Sequence, residues 1–213
     1  MPNATIDPGL IAAWLHARSL ARGLPLPVAD RGGWRVDTGS DVETRRHIFA
    51  ADGPGLRKTG AAIDAPRVFI KLAGPPETLL AALPPRWRID MVSSVMAGPA
   101  TPLAAPLPDA YRAEVEADDT VVAVRIVTAN EVDVASGRAA RHDGVFIYDQ
   151  IVTSPGHRRL GLGRAVMAAL GRHRRAAERE LLTATADGEA LYATLGWRVV
   201  SPWSTAVISN APV

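Results

Sequence analysis

The sequence predicts a mixed α/β (α+β) fold: a sheet of antiparallel and parallel strands flanked by helices, with an α/β extension at the N-terminus. Three observations predict it. Four alternating apolar–polar runs succeed one another between Tyr111 and Thr153, separated by turn residues, as in a strand meander. An amphipathic run of helical period follows, and then strand, helix and strand patterns. Residues 7–97 carry helix and strand signals of their own, before a proline-rich break. A chain of 213 residues, 47% of them hydrophobic, can bury roughly 70% of its unfolded surface.

The elements are justified in order. Asp7-Pro8-Gly9 opens a helix, because aspartate caps and proline at the first helical position sacrifices no needed amide. Ile11, Trp14, Leu15 and Leu20 continue it, and Gly23 is its stop. Short alternating runs then predict strands at Trp34–Asp37, Arg46–Ala50 and Arg67–Leu72, a helix at Glu77–Leu83 and a strand at Trp87–Val95. The stretch 97–108 holds four prolines and reads as an extended connector. The expected organisation is therefore an N-terminal α/β region (1–100), a proline-rich connector (101–108) and a C-terminal domain (109–213). Beyond the connector, strands are expected at Tyr111–Glu116, Val121–Val127, Val132–Ala139 and Val145–Thr153, then a helix over Leu160–Arg179. A strand Leu181–Ala186, a helix Gly188–Leu195 and two short strands, Trp197–Val200 and Thr205–Ser209, complete the chain. The order strand, helix, strand with Trp-Arg near the start of the last strand occurs twice, around residues 67–97 and 181–208. This makes the first half a candidate partial, degenerate copy of the second.

Composition excludes several classes. Cysteine is absent, which removes disulfides, thiolate metal sites and a cysteine nucleophile. No pair of histidines has metal-ligand spacing, so no metal is expected. No apolar run approaches 18 residues, and Met1–Asp7 lacks the features of a signal peptide. The expectation is a cytoplasmic protein without membrane contact. The net charge of +2 conceals a local surplus: seven arginines against one glutamate between Gly156 and Arg179. Such a patch attracts a polyanion. Arg172, Arg174 and Arg175 have no aromatic residues interleaved for base stacking, so nucleic acid is not the expected partner.

The chemistry concentrates between Asp149 and Arg164. A strand runs into Ser154-Pro155-Gly156 and then into a helix opening with Gly161-Leu162-Gly163. The first amides of a helix have no internal partner, the helix dipole adds positive charge there, and glycine allows close approach, so the junction is an anion site. Arg158, Arg159 and Arg164 add formal charge. It is neither a Walker loop, lacking lysine, nor a dinucleotide fingerprint, lacking the third glycine.

Arg158-Arg159-Leu160-Gly161-Leu162-Gly163, followed about 30 residues later by Ala190-Leu-Tyr192-Ala-Thr-Leu-Gly196-Trp197, resembles the two signatures of the GNAT superfamily of acyl-CoA-dependent N-acyltransferases. The resemblance spans about Val132 to Ile208. It departs from the family pattern at Asp187, where asparagine is usual, and in the lack of helices between the first two strands after Pro108. It implies a GNAT-like fold and an acetyltransferase using acetyl-CoA as co-substrate. The pantetheine arm would lie along Ile151, Val152 and Thr153, and the pyrophosphate on the amides of Arg159 to Arg164, with Arg158 beside them and Asp187 toward the cofactor arm. A primary amine of a small molecule or peptide would attack the thioester directly. Tyr192 is the candidate proton donor to the departing thiolate. Asp149 is the candidate base, because strand alternation places Ile147, Asp149, Ile151 and Thr153 on one face. A β-bulge would reverse that parity. Tyr148 and His142 are secondary candidates, and His157 sits in the phosphate turn. The alternative function is a catalytically silent module binding acyl-CoA or a partner. A homodimer through an edge left by the final strands is the one association suggested.

Overall fold

The computed structural model describes residues 6–99 and 103–208. Thr101 and Pro102 of the expected connector lie outside them. The first helix, α1 (Pro8–Arg22), is built as its sequence dictates. Asp7 accepts a hydrogen bond from the Gly9 amide, and Gly23 closes the last turn at φ +62°. The short strand β1 (Val28–Asp30) and the strands β2 (Gly33–Asp37) and β3 (Arg45–Phe49) lead to α2 (Pro54–Ala62), β4 (Val68–Leu72), α3 (Pro76–Ala82) and β5 (Trp87–Ala97). After the connector come β6 (Tyr111–Ala117), β7 (Val121–Thr128), β8 (Asp133–His142), β9 (Val145–Thr153), α4 (Leu162–Gly171), β10 (Arg179–Ala184), α5 (Ala186–Thr194) and β11 (Arg198–Ile208).

All eleven strands form one mixed sheet in the order β1-β2-β3-β4-β11-β5-β10-β9-β8-β7-β6. Among the described residues, β3/β4 and β9/β10 are the parallel neighbours. The two halves are therefore joined through the sheet itself. Each contains a parallel pair followed by a helix and a long last strand, and the last strands are exchanged: β5 pairs with β10 of the second half, while β11 pairs with β4 of the first. The two long strands also pair with each other, from Arg198 opposite Ala97 to Ile208 opposite Trp87. The repeat read at residues 67–97 and 181–208 thus falls on β4-α3-β5 and β10-α5-β11.

Helices cover both faces. α1 packs on β7, β8 and β9, burying Ile11, Trp14 and Leu15 against Ala140, Val145 and Ile147. α4 covers the opposite face, where Leu162, Val166 and Leu170 meet Val124, Ala139 and Phe146. The neighbours Ala139 and Ala140, or Phe146 and Ile147, go to opposite layers, as strand alternation requires. A helix from the extreme N-terminus thereby covers the sheet face that the second half, with no helices between its first strands, leaves bare.

Several expectations change. The helix expected over Leu160–Arg179 ends at Gly171. Residues 172–178 instead form turns, held by Arg141, which donates to the His173 carbonyl and pairs with Glu178, and by Glu178, which accepts from the Arg175 amide. The two final strands are one, β11, in which Pro202 sits opposite Ser94 and a register shift falls between Val199 and Ser201. Pro202 has no amide to donate, which is why the sequence reads as broken there. Because β11 lies inside the sheet, it leaves no exposed edge, and the edges are β1 and β6. The expected pairing of final strands across a dimer therefore has no edge to use. β1 and α2 were not anticipated.

Gly137 on β8 shows how closely the layers pack. A Cβ there would stand 2.5 Å from Ile151 Cδ1 and 2.6 Å from Val166 Cγ1. Gly137→Val should cost about 1–3 kcal/mol in urea unfolding, as overpacked cores do.

Candidate functional site

β9 and β10 pair only at Val145–Ile147 with Arg179–Leu181. Beyond that they separate, β9 running on to Thr153 against β8 and β10 to Ala184 against β5. The corresponding strands of the first half, β3 and β4, stay paired over five residues and open no gap. A bulge contributes to the separation. Arg138 faces Asp149 and Ser136 faces Val152, so Gly137 alone stands against two residues, and Gln150 takes φ +54°. The bulge also corrects the expected parity. Asp149 stays on the α1 side with Ile147, but Ile151 turns to the α4 side, where it packs into the core beneath Gly137. Thr153 follows it, its hydroxyl approaching Gly163.

The separation forms a cleft of about 270 Å³. Asp149, Gln150 and Ile151 line one side, Leu182 to Thr185 the other, with Gly188 and Tyr192 of α5. The outer edge of Ile151, Val152 and Thr153 has no strand partner on the β10 side, and Val152 is exposed. The strand β9 leads on to the glycine turn. Pro155–His157 form a single 3-10 turn, pinned to β6 by a 3.0 Å hydrogen bond between the Tyr111 hydroxyl and His157 Nδ1. Arg159 (φ +63°) and Gly161 (φ +80°) then swing the chain into α4. The first amide to bond back is that of Ala165, to the Gly161 carbonyl, so those of Arg159 to Arg164 have no backbone acceptor among the described residues. Nothing lies within 4 Å of where a Gly161 Cβ would be. Arg158, Arg159, Leu160 and Arg164 are exposed, whereas the Leu162 side chain is core and offers only its amide.

Tyr192 reaches the cleft from α5, half-buried, with no hydrogen bond from its hydroxyl among the described residues. Burial and the nearby Asp149 charge push its pKa up. It is a protonated phenol at neutral pH. Asp187 lies in the first turn of α5, exposed and away from the cleft lining; Thr185, the helix cap, lines it instead. Tyr148 also lines the cleft, but its hydroxyl donates to Glu180 and its ring packs edge-on against Phe146 and Trp197. His142 stacks on His16 of α1 at 4.6 Å. Arg174 is turned inward, toward backbone carbonyls and 3.6 Å from Glu180, so it does not extend the basic surface.

Asp149 is not free. Arg22 of α1 grips both its oxygens, one through Nη2 at 2.8 Å, and Arg18 Nε stands 3.5 Å away. Burial pushes the carboxyl up, but the Arg22 hydrogen bond, the charges of Arg18 and Arg22 and the Gln150 amide outweigh it and hold it below its ordinary range. Sequence reasoning missed both arginines, 127 residues away in the case of Arg22. One signal was present: Ile11, Trp14, Leu15, Arg18 and Arg22 lie on a single helical stripe, so two cations sit on the face α1 buries.

Residues 116–199 match the acetyltransferase (GNAT) domain family. No curated protein matches the chain in sequence. Among solved structures, a GCN5-related N-acetyltransferase from Kribbella flavida superposes with a TM-score of 0.66 at 20% identity, covering 97% of this chain and 96% of that one. A tandem GNAT protein from the clavulanic acid biosynthesis pathway, without AcCoA, gives 0.56 at 15% identity over 100% and 98%. A GCN5-related N-acetyltransferase from Sphaerobacter thermophilus gives 0.56 at 11% over 85% and 78%. Residues 116–199 thus match the acetyltransferase (GNAT) domain family, and the sheet in which they lie shares its fold with solved GNAT structures along the length of the chain.

Proposed function

We propose that the chain moves an acetyl group from acetyl-CoA to a primary amine of a small molecule or peptide, by direct attack within a ternary complex. The observation that carries this reading is the parted β9/β10 pair, which holds a protonated phenol in its cleft, with β9 running on into a turn and helix start whose amides are unpartnered among the described residues. The residues fit the co-substrate. The free edge of Ile151 to Thr153 can pair with the pantetheine amides as an added strand. The amides of Arg159 to Arg164, with Arg158 and Arg164, suit the pyrophosphate. Asp187 has no evident part in this fit.

The neutral amine attacks the thioester carbonyl, the carbon–sulfur bond breaks as the amide bond forms, Tyr192 donates its proton to the leaving thiolate, and the proton shed by the acylated nitrogen passes through solvent to restore the Tyr192 phenol. Tyr192→Phe should lower kcat about 10²-fold or more while leaving the calorimetric Kd for acetyl-CoA unchanged. Asp149 suits the role of base poorly, since its ion pairs favour the unprotonated state. It is better placed to anchor Arg18 and Arg22 at the cleft. The rate should then follow the fraction of acceptor already neutral. The pH profile of kcat/KM should rise to the acceptor's own pKa, with no ascending limb belonging to a protein carboxyl. The absence of a free base among the cleft residues also favours a second reading, the silent module. That reading predicts acetyl-CoA binding without thiol release for any amine.

A further inference from the structure

Behind Asp149, on the α1 side of the sheet, lies a cluster that the transfer step does not use. Four cations, Arg18, Arg22, Arg46 and Lys71, share two carboxylates, Asp149 and Glu43. Arg46 Nη2 bonds Glu43 at 2.6 Å, and Lys71 Nζ stands 3.6 Å from the other Glu43 oxygen. The elements supplying them are α1, β3 and the loop before it, β4 and β9. Ile48 between Arg46 and Phe49 belongs to the same core layer as Ile147, which places the Arg46 and Asp149 side chains on one face of the sheet.

This cluster has an excess of two positive charges. The donors Arg18 Nε and Arg46 Nε, and the acceptor Glu43 Oε1 that Lys71 approaches only to 3.6 Å, are buried and have no hydrogen-bond partner among the described residues. Burial pushes Lys71 down to about 8 and Arg18 down to about 10, with Glu43 and Asp149 pulling the other way. A buried donor left without an acceptor is costly, and so is an unbalanced charge. Yet no side chain is sealed: Arg18, Arg46, Lys71 and Asp149 keep between 9% and 16% of their side-chain surface in solvent. The cluster touches solvent, borders the cleft through Asp149 and carries surplus positive charge, and a guanidinium fork matches a planar oxyanion.

We propose that this cluster receives a carboxylate of the acceptor, so that the substrate is a small amine that also bears a carboxylate. The proposal rests on the transferase reading for the amine, but the carboxylate site can be read by itself. Asp149 is the hinge of the arrangement, lining the cleft with one side and ordering the arginines with the other.

The test is calorimetric titration of the whole chain, with and without acetyl-CoA, using free amino acids, their α-carboxamides and matching aminoalkyl phosphates. Thiol release is followed on the same panel. At least one free amino acid should bind ten-fold or more tightly than its amide. Arg46→Gln and Arg18→Gln should each weaken it at least ten-fold without altering the affinity for acetyl-CoA. Arg18→Lys, which keeps the charge and should fold where the glutamine variant does not, should weaken it several-fold through loss of the fork. Equal affinity for acid and amide, preference for the phosphate, no binding by any amino acid, or full affinity in the variants would overturn the proposal. Failure of acetyl-CoA to bind while amino acids still discriminate against amides would overturn the transferase reading alone.

Discussion

Acetyl-CoA at 100-fold its Kd should raise the thermal midpoint of the chain by about 5–11 °C, and Gly161→Glu should abolish the rise. Linkage gives about 2.7 kcal/mol at that excess. A chain of this size shifts by roughly 2–4 °C per kcal/mol. The variant places a carboxylate in the open space at Gly161, among the amides that would hold the pyrophosphate. It also puts a side chain on φ +80°, which strains the backbone whatever the ligand does. Gly161→Ala separates the two effects. It carries the same strain but no charge, and its Cβ meets nothing within 4 Å, so its midpoint should fall while its response to acetyl-CoA is kept. A rise retained in Gly161→Glu would move the coenzyme away from α4. No rise in the folded wild-type chain would set aside the coenzyme reading.

The elements around this candidate site could be read in the sequence because their determinants are local. The strand-to-helix junction carrying Gly161 and Gly163 needs only neighbours in the chain to form, and Val145–Thr153 is a strand in both sequence and structure. The parts that were not legible depend on distant chain. The bulge at Gln150 depends on Gly137, whose lack of a Cβ makes room for Ile151. The helix after the glycine turn stops at Gly171 because Arg141 and Glu178 hold the next turn, although the apolar stripe continues to Ala177. The strand exchange follows from pairing between halves, and alternation within β5 or β11 does not specify the partner. Asp149 is the clearest case. Its place on the correct face was predictable, but its chemistry was not, because that depends on α1 packing across β9.

Asp149→Ala should therefore act first on stability. Removing the carboxylate leaves Arg22, and Arg18 with 16% of its side chain exposed, without their shared partner. Breaking such a buried pair from one side costs about 3–5 kcal/mol, or a fall in midpoint of roughly 6–20 °C. If Asp149 were instead a solitary base, its removal would relieve a buried charge, leaving stability unchanged or improved while turnover collapsed. A double-mutant cycle with Arg22→Met, read by urea unfolding, should show a coupling of about 0.5–3 kcal/mol. Acid gives the same test without mutation. The folded carboxyl titrates below its ordinary value of 3.8, so the ion pair contributes fully above that pH. Its contribution is lost as pH falls through the lower folded value. Wild-type stability should thus lose a part below about pH 4 that Asp149→Ala does not have. Parallel acid profiles for the two proteins would mean that Arg22 and Asp149 do not pair in solution, and the base role would then return to Asp149.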